Sequence, residues 1–504
     1  MSWSKLPEII ECQIILHLDL SDIVRMRLIC SSLKALVDTL PRIQYRIFVG
    51  KQGFLVRDPL GDKLDVAGAT ARHAVWLTNW RNFNPNKPSR TVPLCNSMDD
   101  IHIHAEPFVQ IHLAGLFVHM TGPQPDRYSC FTIQDGSIKQ SVGFTFPFDR
   151  VKYIAGDARH DLRVLDMIAD GGRRISCMFT AQALEPVPSP NSKLLSFRHD
   201  YHPIYQAHIC EGLFLYQCQE FPTTTTVVID LQTAHEIWRR DQDLGEKMSS
   251  ILLSSQLVAV CTSKSRINSI ELHRLTSSNV VARLALPAMT APWSIQCANW
   301  RLTTSSSNPR YNVFDDPNEE IICLFIDISR GRSAHPDIHQ FVIAIKKTAL
   351  IQIAEASPDS DRTISWEVWG VDARVIPVGD PALGADFAAS RSRILLQGSA
   401  VQMSRIVGYS VSSDLEINYY ALVDFSNRGH QSSSKKRKPR TLYTLPSTTF
   451  TEFFEDDVTN GLPFSFRLAP VKKDCCTGRI KGMNDQLVIV LKHDELLIWE
   501  MGEP

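Results

Sequence analysis

The residues that could do enzymatic chemistry are few and do not form a recognised catalytic pattern. His235-Glu236 begins like the zinc-binding motif of metalloproteases, but position 239 is Arg where that motif needs a second His. The chain also lacks the Gly-x-Ser-x-Gly elbow of hydrolases, the glycine loop that holds phosphates and the dinucleotide fingerprint. The sequence therefore predicts a protein that is not an enzyme.

Two further histidine pairs have a spacing that could bind a metal. His102 and His104 alternate along a predicted strand, and His335 and His339 lie four residues apart. A metal site needs a third ligand, and neither pair has a carboxylate or another ligand placed with it. We interpret all four as surface or loop histidines, and we expect no cofactor.

The twelve cysteines include no Cys-x-x-Cys pair, so the common spacing of zinc and redox sites is missing. Cys475 and Cys476 are adjacent, and neighbours seldom form a disulfide because the geometry is strained. We expect reduced thiols, mostly small buried side chains.

The elements that carry these residues must belong to more than one domain, because 504 residues exceed one ordinary compact core. The chain has 44% hydrophobic and 21% charged residues, which is typical of globular proteins. A net charge of -1 predicts no general attraction to nucleic acid or membranes. No secretory signal and no apolar run of about 20 residues occurs, so we expect a soluble protein of the cytoplasm, the nucleus or both.

Helical signals run from residue 6 to residue 40. Pro7 suits the first turn of one helix, Asp22 suits the start of a second, and Ser31 or Ser32 can begin a third. These helices are apolar on more than one stripe, which a module of about 40 residues cannot bury against itself. Some of that surface must belong to a partner, either the next domain or another protein.

Residues 43–90 are expected to connect these helices to the rest of the chain. Apolar and polar residues alternate from Ile43 to Val49, which is the period of a strand. We expect this strand to pair with a later sheet or to pack on its rim. Residues 66–83 carry apolar side chains at helical spacing and predict a short helix.

Residues 91–504 read as a large all-β domain without further long helices, because short β-branched or aromatic runs recur between turn-forming residues. The runs include Phe131–Ile133, Val227–Ile229, Ile251–Val260, Ile267–Leu272, Ile321–Ile328, Phe341–Ile345, Ile364–Val371, Tyr419–Phe425 and Leu487–Leu491.

Strand pairs repeat along this domain. An apolar strand ends in Asp or a turn, and a second strand follows that often contains Trp, as in Val227–Asp230 with Ile237-Trp238. Repeated strand pairs favour a β-propeller, and large pairs of β-sandwiches remain an alternative. The spacing drifts, so it does not give the number of blades.

Two segments of the β domain are predicted to be loop insertions. Residues 303–320 combine a serine run with an acidic end, and residues 426–441 are polar and strongly basic. The run Lys435–Lys438 is either a nuclear import signal or an ordinary solvated loop.

Residues 6–37 resemble an F-box. Ser31 stands where the family commonly has Arg or Lys, and the Trp common in the following helix is absent. The layout is similar to that of F-box proteins common in basidiomycete fungi. The residues that carry the resemblance are Leu6-Pro7-Glu8-Ile9-Ile10, Ile15, Leu16, Leu18, Leu20-Ser21-Asp22-Ile23, Ile29-Cys30, Leu33 and Leu36.

The resemblance implies an α+β protein with three parts. These are a three-helix F-box at residues 1–42, a connector at residues 43–90 and an all-β, propeller-like recognition domain at residues 91–504. It also implies a non-catalytic substrate receptor of an SCF-type ubiquitin ligase. The F-box would dock on a Skp-type adaptor that bridges to a cullin, and the β domain would hold a protein substrate. The adaptor-binding residues that it implies are Leu6, Pro7, Ile9, Ile15, Leu16, Leu18, Ile23, Leu28, Ile29, Cys30 and Leu33.

Two alternative functions remain open. The protein could be an adaptor-bound structural or regulatory scaffold without a degradation substrate, or an enzyme of the propeller type whose loops supply a site. Co-purification of an adaptor separates the enzyme from the other two hypotheses. Polyubiquitination of a bound protein separates the receptor from the scaffold.

Overall fold

The fold is visible in a computed structural model as a set of N-terminal helices followed by many short strands. The residues that the structure describes are 6–51, 54–56, 65–93, 108–112, 115–119, 128–134, 137–144, 150–157, 162–168, 174–180, 204–220, 223–233, 235–243, 247–264, 267–277, 279–301, 313–315, 320–330, 337–357, 362–379, 386–390, 393–399, 418–425, 447–448, 452–455, 458–459, 462, 465–471, 479–483, 487–492 and 495–501.

Four helices form a compact helical module at the N-terminus. They are α1 (Glu8–His17), α2 (Leu20–Met26), α3 (Ser31–Thr39) and α4 (Pro41–Gly50). The three predicted helices are confirmed as α1, α2 and α3. The side chains that share the core of the module are Ile15, Leu16, Ile23, Met26, Leu33, Val37, Ile43 and Ile47.

The strand predicted from Ile43 to Val49 is wrong, because this segment is helix α4 with Pro41 in its first turn. Two residues along an α-helix are about 200° apart, so alternate residues lie on opposite faces. Ile43 faces the core of the helical module, and Tyr45 faces a cluster of residues from the β domain. A helix that is buried on both faces therefore imitates the alternation of a strand.

After α4, the described residues of the connector form one short strand and one long helix. Strand β1 (Phe54–Val56) is followed by α5 (Val66–Arg81), which confirms the helix predicted within residues 66–83. The Asp65 carboxylate caps α5 by accepting a hydrogen bond from the backbone N–H of Gly68 at 3.0 Å.

Strands make up most of the remaining described residues. The first group is β2 (Arg90–Pro93), β3 (Phe108–His112), β4 (Gly115–His119), β5 (Tyr128–Gln134), β6 (Ser137–Phe144), β7 (Arg150–Asp157), β8 (Leu162–Ile168), β9 (Arg174–Thr180), β10 (Ile204–Cys210), β11 (Leu213–Glu220), β12 (Thr223–Asp230) and β13 (Glu236–Asp243). The second group is β14 (Lys247–Ser254), β15 (Leu257–Lys264), β16 (Ile267–Arg274), β17 (Val280–Ala285), β18 (Trp293–Arg301), β19 (Val313–Asp315), β20 (Ile321–Arg330), β21 (Asp337–Lys346), α6 (Lys347–Ala356), β22 (Arg362–Ile364), α7 (Trp366–Trp369) and β23 (Ala373–Gly379). The third group is β24 (Asp386–Ser390), β25 (Arg393–Ser399), β26 (Asn418–Asp424), β27 (Ser447–Thr448), β28 (Val458–Thr459), β29 (Ser465–Val471), β30 (Arg479–Met483), β31 (Leu487–Lys492) and β32 (Glu495–Glu500).

In the described residues, seven sheets of three to five strands succeed one another along the chain and form the blades of a β-propeller. Their strand orders are β3-β4-β5-β6, β7-β8-β9, β10-β11-β12-β13, β14-β15-β16-β17-β22, β18-β20-β21-β23, β24-β25-β26-β29 and β30-β31-β32-β2, which we call blades 1 to 7. The first strands of the blades lie next to one another, since β10 contacts β7 and β14, and β30 contacts β24 and β3. The contact of β30 with β3 brings the last blade against the first.

The blades stack face to face, which explains their apolar sequences. On β12, Val227, Val228 and Ile229 are all buried, because the blade is covered on both of its faces. The largest core lies between blades 4 and 5 and includes residues of α6 and α7.

Three expectations for the β domain need correction. The strand predicted at Ile364–Val371 is wrong, because β22 ends at Ile364 and α7 follows, with Trp366 and Trp369 buried on one side of the turn. Helix α6 was not expected, because its ten residues carry a helical period too short to stand out. Residues 313–315 of the supposed loop 303–320 form strand β19, whereas residues 426–441 lie outside the described residues.

Candidate docking surface on the N-terminal helices

Large apolar side chains are exposed on the helical module. Leu28 is 86% exposed, Ile29 68% and Ile9 67%, and Ile10, Ile14 and Val24 are more than a third exposed. Six of the ten exposed large apolar residues in the described part of the chain therefore lie between positions 9 and 29. We call these six residues the exposed apolar surface. Such a concentration is typical of a protein-binding site.

This surface is left over because the module already has a complete core. Ile15 and Ile23 are fully buried, and α4 fills the remaining space with Ile43 and Ile47. None of the six residues of the exposed apolar surface belongs to this core, and all remain exposed among the described residues of the chain. The helices keep this surface accessible because short turns fix their relative positions.

The predicted adaptor-binding residues divide into two groups by burial. Ile15, Leu16, Ile23 and Leu33 are buried inside the module, and Leu6 and Leu18 are half-buried. The exposed ones are Pro7, Ile9, Leu28, Ile29 and Cys30.

Sequence reasoning missed three members of the exposed apolar surface. Ile10 and Ile14 share one face of α1 at a spacing of four residues, and Val24 lies four residues before Leu28. That spacing was a usable signal, because residues at i and i+4 point to the same side of a helix.

The charged residues beside this surface pair within the module. Arg25 lies 3.2 Å from Asp22, and the Nε of Arg27 lies 2.8 Å from the Oδ1 of Asp38. Exposed ion pairs of this kind contribute about 1 kcal/mol or less to stability. The apolar side chains between them supply most of the binding energy that the surface can offer.

Helix α5 joins the helical module to blade 6. The Arg393 guanidinium carbon lies 4.8 Å from the centre of the Trp76 ring and 5.2 Å from that of Trp80. The Nε of Arg393 donates a hydrogen bond to the Oδ2 of Asp424 at 3.2 Å. The buried arginine is thus held by two aromatic rings of α5 and by a carboxylate of its own blade.

The end of the chain is fastened to the same region. The Asn79 side chain donates a hydrogen bond to the carbonyl oxygen of Met501 at 3.0 Å, and the Trp499 indole donates one to that of Asn84 at 2.9 Å. Strand β2 pairs with β32 along its length, so blade 7 contains residues from both ends of the propeller sequence.

A third attachment reaches blade 5. Strand β1 of the connector pairs antiparallel with β19, which lies in the connection between β18 and β20. Leu55 is the cross-strand neighbour of Phe314 in this pair.

These attachments lie at one face of the propeller. Arg393 begins β25 and is paired with Asp424 at the end of β26, and Met501 directly follows β32. Because neighbouring strands are antiparallel, all of these points lie where the first strand of each blade turns into the second. The other face, which we call the open face, carries the turns between second and third strands and the connections between blades.

Buried polar residues elsewhere serve the propeller itself. Glu271 of blade 4 accepts hydrogen bonds from Arg240 of blade 3 at 2.5 Å and from Arg283 at 3.0 Å. Burial raises the pKa of the Glu271 carboxyl, but hydrogen bonds from His273, Arg240 and Arg283 outweigh it and hold that pKa well below its usual range. The cluster fastens blade 3 to blade 4.

The histidines singled out from the sequence do not form a metal site in the described residues. His235 and Glu236 are exposed at the start of β13, and His339 packs against Trp293 and Phe453 with its Nε2 3.2 Å from Asp337. His102, His104 and His335 lie outside the described residues. No group of three or more possible metal-binding side chains occurs in the part of the chain that the structure describes.

Every helix in the described part of the chain is too short or too polar for a membrane span.

Comparison with known proteins identifies the helical module. Residues 3–45 match the F-box domain family. An F-box domain implies an adaptor-binding role in an SCF-type ubiquitin ligase. No curated protein sequence matches the chain.

Solved structures similar to this chain share very little sequence with it. The Kuenenia stuttgartiensis hydrazine synthase has 8% identity and a TM-score of 0.39, and the similarity covers 80% of this chain and 99% of that one. The β-propeller domain of Myceliophteria thermophila Cps50 (Swd1) has 10% identity and a TM-score of 0.37, covering 82% and 98%. The C-terminal WD40 domain of Sif2 has 7% identity and a TM-score of 0.36, covering 78% and 93%.

The order of the strands in the seven sheets, rather than these distant likenesses, identifies the propeller. The chain carries an F-box domain at residues 3–45, and a β-propeller follows it.

Proposed function

We propose that this protein is the substrate receptor of an SCF-type ubiquitin ligase. The helical module docks on a Skp-type adaptor, which bridges to a cullin, and the propeller holds a protein substrate. The observation that carries the proposal is the exposed apolar surface on an F-box domain whose own core is already complete.

The predicted adaptor-binding residues have two roles in this proposal. Pro7, Ile9, Leu28, Ile29 and Cys30 contact the adaptor directly, because they are exposed. The buried and half-buried residues act indirectly, because they hold the helices that present this surface. The residues of this supporting group are Leu6, Ile15, Leu16, Leu18, Ile23 and Leu33.

The size of the surface is sufficient for stable docking. Burying one exposed Leu or Ile side chain contributes about 2 kcal/mol. Ile9, Leu28 and Ile29 together contribute about 6 kcal/mol, and Ile10, Ile14 and Val24 add smaller amounts because they are already half-buried. Since the helices are held by their own core, little further ordering opposes this gain.

Calorimetric titration of the full chain with a Skp-type adaptor tests this docking. We expect Leu28→Asp to weaken the affinity at least about tenfold, because a carboxylate would be moved from water into an apolar interface. The melting temperature should not change, because Leu28 is 86% exposed and supports no core.

Val75→Asp is the matched control for this experiment. Val75 is also a large apolar residue on a helix and 57% exposed, but it lies on α5 outside the exposed apolar surface. Its substitution should leave adaptor affinity unchanged. Equal affinities of the native chain and Leu28→Asp would show that this surface does not dock the adaptor.

The open face of the propeller is the surface that we propose for the substrate. The opposite face is occupied by α5, β1 and the end of the chain, which attach the helical module. Loops at the open face connect strands that are rigidly packed, and such loops often carry binding residues.

Isolating the proteins that bind this chain distinguishes a substrate receptor from a scaffold without a degradation substrate. The native chain and Leu28→Asp should retain the same bound protein from cell extract. That protein should carry polyubiquitin only with the native chain, since only this chain keeps its adaptor. A bound protein that is never ubiquitinated would favour the scaffold.

A further inference from the structure

We propose that Arg393 is a positioning residue that locks the helical module and the propeller into one rigid body. The adaptor-docking surface is then held at a fixed place relative to the open face. This inference rests on the proposed receptor function. It adds how the distance between the bound adaptor and the bound substrate is fixed.

Arg393 is suited to this role by its surroundings. Its side chain is 3% exposed, and its guanidinium faces the rings of Trp76 and Trp80 on α5. Its charge is matched within its own blade by Asp424, the cross-strand neighbour in β26. A planar cation between rings and a carboxylate is held in orientation as well as in position. Helix α5 cannot rotate over blade 6 without breaking these contacts.

Two other attachments lie on either side of this point. Strand β1 pairs with β19 of blade 5, and Asn79 is hydrogen-bonded to Met501 after the last strand of blade 7. With Arg393 in blade 6, the module is attached to three successive blades. The two flanking attachments are a strand pair of three residues and a single hydrogen bond, so Arg393 is the contact that fixes the orientation of α5 over blade 6.

Helix α4 removes the remaining freedom between the module and the connector. Its Ile43 and Ile47 belong to the core of the helical module, whereas Tyr45 and Val49 belong to the cluster shared with the propeller. Helix α4 therefore contributes side chains both to the core of the helical module and to the cluster shared with the propeller. A substrate at the open face would meet the transferring enzyme at a defined distance, which confines the lysines that can be modified.

Distance measurement by pulsed electron paramagnetic resonance tests the lock on the full chain. Spin-labelled non-natural amino acids would replace Ala35 on α3 and Gln232 in the turn after β12, both of which are exposed. The native protein should give one narrow distance distribution, with or without the adaptor. Arg393→Lys should lose that single narrow peak, because an ammonium group keeps the charge but cannot lie flat against two rings.

Leu55→Pro provides a second variant in case Arg393→Lys does not fold. It removes a backbone donor from β1 and disturbs the pairing with β19, but it leaves every blade intact. It should also broaden the distribution. Arg239→Lys is the control, since Arg239 is an exposed arginine of blade 3 paired with Asp241, and it should leave the peak narrow. A broad native distribution, or a narrow one in folded Arg393→Lys, would overturn the proposal. If Arg393→Lys does not fold, a narrow distribution in Leu55→Pro would overturn it.

Ubiquitin transfer to the chain's own lysines gives a functional readout that needs no identified substrate. With adaptor, cullin and a charged conjugating enzyme, the native chain should be modified at a restricted set of lysines, and Arg393→Lys at a wider set. Adaptor affinity should be equal for both. Absence of adaptor binding by the native chain would refute the receptor function, whereas the distance measurement would still decide the lock.

Discussion

The histidine on β10 of the propeller is kept in its neutral form by its surroundings. His208 on β10 accepts a hydrogen bond at Nδ1 from the backbone N–H of Leu252 at 3.1 Å, which requires an unprotonated nitrogen there. Burial, together with the charge of Lys347, lowers the pKa of His208 to about 3. The neutral ring is therefore part of the folded state across the physiological range.

We expect His208 to make the protein less stable as the pH falls. An unfolded histidine has a pKa of about 6.5, so between about pH 6.5 and pH 3 the unfolded chain binds a proton that the folded chain excludes. In this window the free energy of unfolding should fall by up to about 1.4 kcal/mol per pH unit through this residue alone. Urea unfolding at pH 7 and pH 5 should show a smaller difference for His208→Gln than for the native chain. An unchanged difference would show that His208 titrates normally.

The two roles of the F-box leucines could not be separated from the sequence. Leu16 and Leu28 are both among the residues predicted to bind the adaptor, and both lie on apolar stripes. Leu16 is 2% exposed and Leu28 86%, because α4 covers one side of the helices and leaves the other side open. The sequence predicted that a partner covers apolar surface on these helices. Which residues form that surface depends on the packing of α4, which the sequence pattern predicted to be a strand.

At the scale of elements, the short helix α7 depends on close packing of two tryptophans. The rings of Trp366 and Trp369 meet edge to face with their centres 4.6 Å apart, and the Trp369 indole donates a hydrogen bond to the carbonyl oxygen of Ala285 at 2.9 Å. Gly370 closes the turn so tightly that an added Cβ would lie 2.6 Å from the Trp366 ring. This is the point where blade 5 covers the outer edge of blade 4.

We expect Gly370→Ala to destabilise the protein by about 1–3 kcal/mol, the usual cost of forcing extra volume into a packed core. The buried Trp366 ring is rigid and cannot give way as a flexible side-chain end could. Chemical denaturation would measure the loss. Val371→Ala is the control, because Val371 is 48% exposed and its truncation should cost no more than about 0.5 kcal/mol. Equal stability of Gly370→Ala and the native chain would contradict this description of α7.

The sequence predicted an element correctly where its apolar period had a single cause, namely burial against the core. Helix α5 and the apolar strands of blades 3 to 7 were predicted because their period reflects burial against the core. The segment Trp366–Trp369 failed because apolar aromatic residues suit both strands and single helical turns. Strand β19 was missed because three residues in a polar segment carry too little pattern, and only pairing with β1 makes them a strand.

At the scale of the whole molecule, the propeller is closed by pairing a strand from before the blades with the last strand of the chain. Strand β32 lies between β31 and β2, and Leu496, Leu497, Ile498 and Trp499 are all buried. Burying four such side chains contributes about 6–12 kcal/mol, which is comparable to the total stability of a typical domain. Blade 7 therefore holds the two ends of the ring together.

We expect deletion of residues 495–504 to unfold the propeller and not merely to shorten a tail. A thermal scan should show loss of the cooperative transition, because β2 would lose its partner strand and β31 one of its two partner strands. A chain that ends at Met501 keeps β32 complete and should melt like the native protein. A truncated chain that retains the native transition after loss of β32 would show that the ring does not need this strand.

The repeat of strand pairs was enough to predict a propeller, but the number of blades was hidden by insertions. The segment from α6 to α7 separates β21 from β23, and residues between β26 and β29 reach back to blade 5, where Phe453 packs on Phe341. The predicted boundary at residues 90–91 falls inside β2, so the connector contributes to the propeller. The predicted basic loop at 426–441 and the import signal within it stay predictions.

Helix α4 has a consequence for how such proteins can exchange parts during evolution. The F-box match ends at residue 45, in the middle of a helix that spans Pro41–Gly50. A genetic crossover at that point would join halves of α4 whose two faces were selected against different partners. A crossover between Phe54 and Pro93 would also separate β1 or part of β2 from the blades that they pair with, which are blades 5 and 7. New receptors are therefore expected to arise by divergence of loops at the open face of an intact chain, with shuffling confined to the segment before Pro41.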